Sequence, residues 1–101
     1  MLNTGTINLA TVRETPAREM NGGTMALQLS SPDLTGDTTY NIKVSLDNVV
    51  YDGAQEGGVD ITGKLTTGSA VVLQFEMVEG IWYKVTFDGT TSGTVTWKIL
   101  D

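Results

Sequence analysis

Along this chain apolar and polar residues alternate in short runs, with Gly, Asp, Asn and Thr between them. A period of two places every second side chain on one face of an extended strand, so the pattern predicts half-buried strands joined by turns. The runs lie at residues 5–12, 24–30, 39–46, 49–51, 59–65, 69–78, 81–88 and 94–100. About eight short strands at this spacing predict an all-β fold, a small antiparallel β-sandwich of jelly-roll or Ig-like type. No internal repeat persists along the chain.

One segment departs from the rhythm. In "TPAREMNGG", Thr15 has the chemistry of a helix N-cap, Pro16 suits the first helical position, and Gly22-Gly23 would stop the helix. This predicts a short helical turn near residues 16–20, with an irregular connection as the competing reading. Residues 1–23 then form an N-terminal strand and connecting arm, and residues 24–101 the β-sandwich core, within a single domain. "SSPDLTGD" and "YDGAQEGGVD" have the composition of surface loops.

The stretch "SAVVLQFEMVEGIWYKVTFDG" shows how facing follows from parity. A three-residue loop Val78-Glu79-Gly80, with Gly80 left-handed, would pair Met77 with Ile81, Phe75 with Tyr83, Leu73 with Val85 and Val71 with Phe87. Every core-facing residue then meets another. Trp82 falls on the polar face, opposite Glu76. In the last strand Val95, Trp97 and Ile99 take the core phase, so Trp97 is expected inside. If that strand pairs with residues 81–88, Leu100 and Val78 join Trp82 in a small apolar patch. Val78, Trp82 and Leu100 are therefore candidate protein-interface residues, because aromatic anchors with aliphatic neighbours suit that role. Arg13 and Arg18 in the N-terminal arm join them as cations for acidic groups on a partner. Coverage of Trp82 within its own chain and a sugar-stacking platform are the competing readings.

Composition narrows the chemistry. The 101 residues carry six Lys or Arg against twelve Asp or Glu, a net charge of −6 that argues against nucleic-acid binding. Forty per cent hydrophobic residues exclude a disordered chain, and the apolar runs are too short to span a membrane. The start "MLNTGTINL" lacks a secretory signal, so export by that route would require a signal already removed. With no Cys and no His there is no disulfide, thiolate metal site, catalytic triad or imidazole base. A carboxylate pair remains, yet Glu76 and Glu79 are an odd number of residues apart and the other acids sit in loops. The acidic loops also lack the dense D-x-D-x-D-G spacing of a calcium site. The expectation is a non-enzymatic protein without catalytic residues, metal or cofactor.

The closing segment "YKVTFDGTTSGTVTWKIL", within a strand-dense, Thr- and Gly-rich, acidic and cysteine-free chain, resembles head decoration or cement proteins of tailed bacteriophages and related head-fibre modules. The likeness is one of texture over most of the chain, and many bacterial Ig-like domains end similarly. It implies a viral structural protein on the virion, bound to the outer capsid surface as a homo-oligomer, often a trimer, that reinforces the shell. Its partners would be capsid or other virion proteins, with no nucleic acid and no membrane. An Ig-like adhesion or surface module and a carbohydrate-binding β-sandwich are the alternatives.

Overall fold

The computed structural model describes residues 2–21, 23–89 and 92–100. Its strands in chain order are β1 Leu2–Asn8, β2 Arg18–Glu19, β3 Gly23–Ser30, β4 Thr38–Ser45, β5 Asp52–Gly53 and β6 Gln55–Glu56, followed by β7 Val59–Asp60, β8 Thr62–Leu65, β9 Ala70–Met77, β10 Trp82–Asp88 and β11 Thr94–Leu100. One sheet has the order β1-β11-β3-β9. The other runs β2-β10-β4, with β5 and β8 both on the far side of β4, and among the described residues β6 pairs only with β7.

The topology is a long hairpin rolled on itself. β4 pairs with β8, β3 with β9, β2 with β10 and β1 with β11, so the first half of the chain meets the second in reverse order. Two further pairings, β10 with β4 and β11 with β3, close the roll, and every pairing is antiparallel. From β1 through β4, and again from β8 through β11, successive strands thus alternate between the sheets, the pattern of a jelly roll, which leaves residues 46–61 as the head of the hairpin.

Alternation sets the core as the sequence requires. Met25, Leu27 and Leu29 of β3 and Val95, Trp97 and Ile99 of β11 meet Tyr40 and Ile42 of β4 and Tyr83, Val85 and Phe87 of β10, all buried. Leu65, Phe75, Leu9 and Met20 complete this interior. Trp97 is inside as expected.

The partners of three segments differ from expectation. β9 and β10 do not form a hairpin: β9 pairs with β3 in one sheet, and β10 with β4 and β2 in the other. Gly80 is left-handed (φ 86°), but the turn it makes crosses between sheets. Glu76 lies opposite Thr24, and Trp82 opposite Ser45 and Glu19. Among the described residues β11 pairs with β1 and β3 and not with β10. Inward parity is the same in either arrangement, which is why facing is right where pairing is wrong.

The helical turn near residues 16–20 is also replaced, because the chain there is extended and Arg18–Glu19 is strand. Residues 13–20 run along β10 of their own chain: the Phe87 N–H donates to the Arg13 carbonyl at 2.9 Å, and the Thr15 and Met20 N–H groups donate to Val85 and Ile81 at 2.9 and 2.8 Å. Glu14 opposes Thr86 and Arg18 opposes Tyr83, so Thr15, Pro16 and Ala17 face only Lys84 and Val85. This bulge absorbs Pro16, and the buried Thr15 hydroxyl accepts the Val85 N–H at 3.0 Å. The N-terminal arm, with Arg13 and Arg18 on it, is thereby committed to its own sheet. Residues 49–51 are likewise not strand.

Candidate functional site

The head of the rolled hairpin carries the most conspicuous surface. Asp47 follows β4 and gathers the chain into a turn, accepting the Val49 and Val50 N–H groups at 2.9 and 3.1 Å and the Ser45 hydroxyl at 2.8 Å. Asn48 takes a left-handed conformation (φ 59°) within it. The turn spends its polar groups internally and presents Leu46, Val49 and Val50 to solvent at 87%, 77% and 65% exposure. A cavity of about 330 Å³ lies beneath, lined by Leu46, Val50, Val44 and Ile81 among others. Val44 and Ile81 also line a second cavity that reaches Val78, which is 75% exposed. Leu46, Val50 and Val78 thus belong to one apolar end of the sandwich.

Trp82 lies beside this end on the outer face of the β2-β10-β4 sheet and is half-buried. Two residues along β10, Lys84 stands directly opposite Lys43, a repulsive pair. The Glu14 carboxylate at 3.0 Å from Lys84 Nζ and the Tyr51 ring, whose centroid is 4.3 Å from it, offset that repulsion. The Tyr51 hydroxyl in turn donates to Asn48 Oδ1. Tyr51 therefore ties the hairpin head to the sheet face.

The expected patch comes apart in one respect. Val78 and Trp82 lie where β9 passes into β10, whereas Leu100, 53% exposed, is paired between Leu2 and Ala26 on the other sheet. Arg13 and Arg18 are half-buried beside β10. Sequence reading missed Leu46, Val49, Val50 and Tyr51; the available signal was two valines following directly on Asp-Asn, where alternation breaks.

A groove of about 430 Å³ on the flank is lined by Thr24, Gln55, Glu56, Gln74 and Glu76 around Phe75 and Ile61. No group of His, Cys, Asp or Glu suited to a metal occurs among the described residues. The carboxylates with displaced pKa values are structural. Asp47 is held below the ordinary aspartate value by the Val49 and Val50 N–H groups and the Ser45 hydroxyl. Asp33 is lowered by the Thr94 N–H and hydroxyl, and then by Ser31. Burial pushes the Tyr40 phenol up.

No protein-family model matches the chain, and no curated protein matches it. Solved structures do. A mitogen from Yersinia pseudotuberculosis has a TM-score of 0.51 at 11% identity, over 98% of this chain and 84% of that one. A protein of Bacillus endospore appendages, described as a family of disulfide-linked pili, scores 0.51 at 16% identity over the same shares, 98% and 84%. A xylan-binding domain from Paenibacillus barcinonensis reaches 0.49 at 12% identity, over 93% of this chain and 61% of that one. At these identities the likeness is one of fold. The chain is an all-β, jelly-roll-like β-sandwich.

Proposed function

We propose that this chain is a non-enzymatic structural protein of the capsid decoration type, which docks on the outside of a virion through the apolar end formed by Leu46, Val49, Val50 and Val78. The observation that carries this reading is the exposure of those four side chains on a molecule whose own core is complete. Apolar side chains gathered at one end of a small acidic protein gain by being covered. The Asp47 turn favours docking, because it fixes the end in shape before any contact is made and so lowers the ordering cost of binding. The resemblance to phage decoration proteins supplies the partner, the outer capsid surface. The same fold serves an appendage protein in Bacillus endospores, so exposed assemblies are built on it elsewhere.

Density-gradient sedimentation of particles from cells producing the chain tests this. The wild-type chain is expected to band with intact particles, and a folded Leu46→Asp, Val50→Asp variant to stay at the top. A wild-type chain that never leaves the top of the gradient overturns the reading. One observation favours a carbohydrate-binding module instead: the flank groove is lined by two amides, two carboxylates and a hydroxyl together with Phe75. Retention of the chain by a polysaccharide gel, with no banding on particles, is the outcome that would prefer it.

A further inference from the structure

The two sheets treat their edges differently. On the β2-β10-β4 sheet one edge is β2, two residues long and preceded by the Pro16 bulge. The other is divided between the two-residue β5 and the four-residue β8, which carries Lys64. Short strands, proline, bulges and lysine are the devices that keep an edge from pairing with another chain. The β1-β11-β3-β9 sheet has none of them at its edges. β1 is seven residues long and β9 eight, neither contains Pro or Lys, and Glu76 is their sole charged residue.

Hydrogen-bond phase shows which backbone groups are unused. The Leu9 N–H donates to the Gly93 carbonyl at 2.9 Å, in register with the β1–β11 ladder. Bonded pairs recur at every second residue of an antiparallel ladder, so Ile7, Gly5 and Asn3 face β11 while the backbones of Leu2, Thr4 and Thr6 face away. Carried across β11 and β3 by their registers, the same alternation turns Val71, Leu73 and Phe75 toward β3, and Ala70, Val72, Gln74 and Glu76 outward. Among the described residues β9 pairs only with β3, and β1 only with β11.

Polarity and charge both suit a second copy. Three antiparallel steps separate β1 from β9, so the two edges run in opposite directions. A copy placed alongside by continuing the sheet brings its β1 against β9 in the geometry the sheet already uses. Copies of a chain with net charge −6 repel one another, yet these edges bring only Glu76, with Lys98 on the adjoining outer face. Leu2 and Val72, 59% and 64% exposed, lie on the two edges and would be partly covered by the junction.

We propose that copies of this chain join edge to edge, β9 of one pairing antiparallel with β1 of the next. The contact is heterologous, so it generates a ring or a filament according to whether the rotation per copy closes. It uses neither the apolar end nor any capsid surface, and stands or falls separately from the docking reading.

Sedimentation velocity on the purified chain over a concentration series tests it. Thr6→Pro and Val72→Pro each remove one outward N–H and leave the internal ladders intact. The wild type is expected to associate, each variant alone to remain monomeric, and their equimolar mixture to form a dimer that grows no further. The Thr6→Pro copy still offers β9 and the Val72→Pro copy still offers β1. A wild type monomeric throughout the series overturns the proposal. So does a variant that dimerises alone, since like edges would then be pairing. Circular dichroism checks the folding of both, and Thr6→Lys and Val72→Lys replace any proline variant that does not fold.

Discussion

Asp47 accepts two backbone N–H groups and a hydroxyl, and these hydrogen bonds favour its charged form. Its folded pKa therefore lies below the ordinary value of 3.8. The sign follows: the carboxylate holds the hairpin head in full above the unfolded value, and the hold is lost as pH falls through the lower, folded value. In an NMR titration the Val49 and Val50 amide shifts are expected to move together, with a midpoint under 3.8. A midpoint at or above that value would remove Asp47 from this role. Gly5 illustrates a different residue-scale constraint. A Cβ there would lie 2.6 Å from Trp97 Cζ2, so the indole occupies the place a side chain would take on this edge strand. That Trp97 points inward was legible from Val95 and Ile99 on either side of it. That it lies over Gly5 was not, because alternation gives a facing and no partner.

Thr15 and Pro16 explain how a helix start can be read where a strand exists. A helix N-cap needs a side-chain oxygen to accept a backbone N–H and tolerates a following residue that lacks one. A bulge against β10 needs the same two properties. Here the Thr15 hydroxyl accepts the Val85 N–H while Pro16 sits in the extra residue's place. Local chemistry is satisfied in either setting, and only the pairing with β10 decides between them. Thr15→Val keeps the shape and strands a buried N–H, so denaturant unfolding should show a loss of about 1–3 kcal/mol, with Thr15→Ser close to wild type. An unchanged Thr15→Val midpoint would mean that the hydroxyl does not support the ladder. The turn at Gly80 teaches the same lesson: its left-handed residue was legible, but a three-residue turn can close a hairpin or cross between sheets.

In the whole molecule the reverse-order pairing of the two halves makes most contacts distant in sequence. Chains of this kind lose loop entropy before pairing rewards them, and fold slowly for their size. Stopped-flow refolding followed by tryptophan fluorescence is expected in the range of about milliseconds to seconds. Complete refolding within microseconds would contradict the rolled topology. The roll also explains which parts of the candidate site were legible. Val78 and Trp82 face outward by parity alone. Parity does not name a sheet, so it groups Leu100 with them, and the Asp47 turn breaks the period and hides Leu46, Val49 and Val50.

Among the described residues β6 and β7 pair only with each other, through Gly57 and Gly58, whose φ values of 60° and 81° make a tight two-residue turn. A Cβ at either glycine would meet nothing within 4 Å, so a guest peptide grafted between them would project into open space and require no repacking beneath it. The molecule thereby offers itself as a compact display scaffold, free of thiols that could cross-link the cargo.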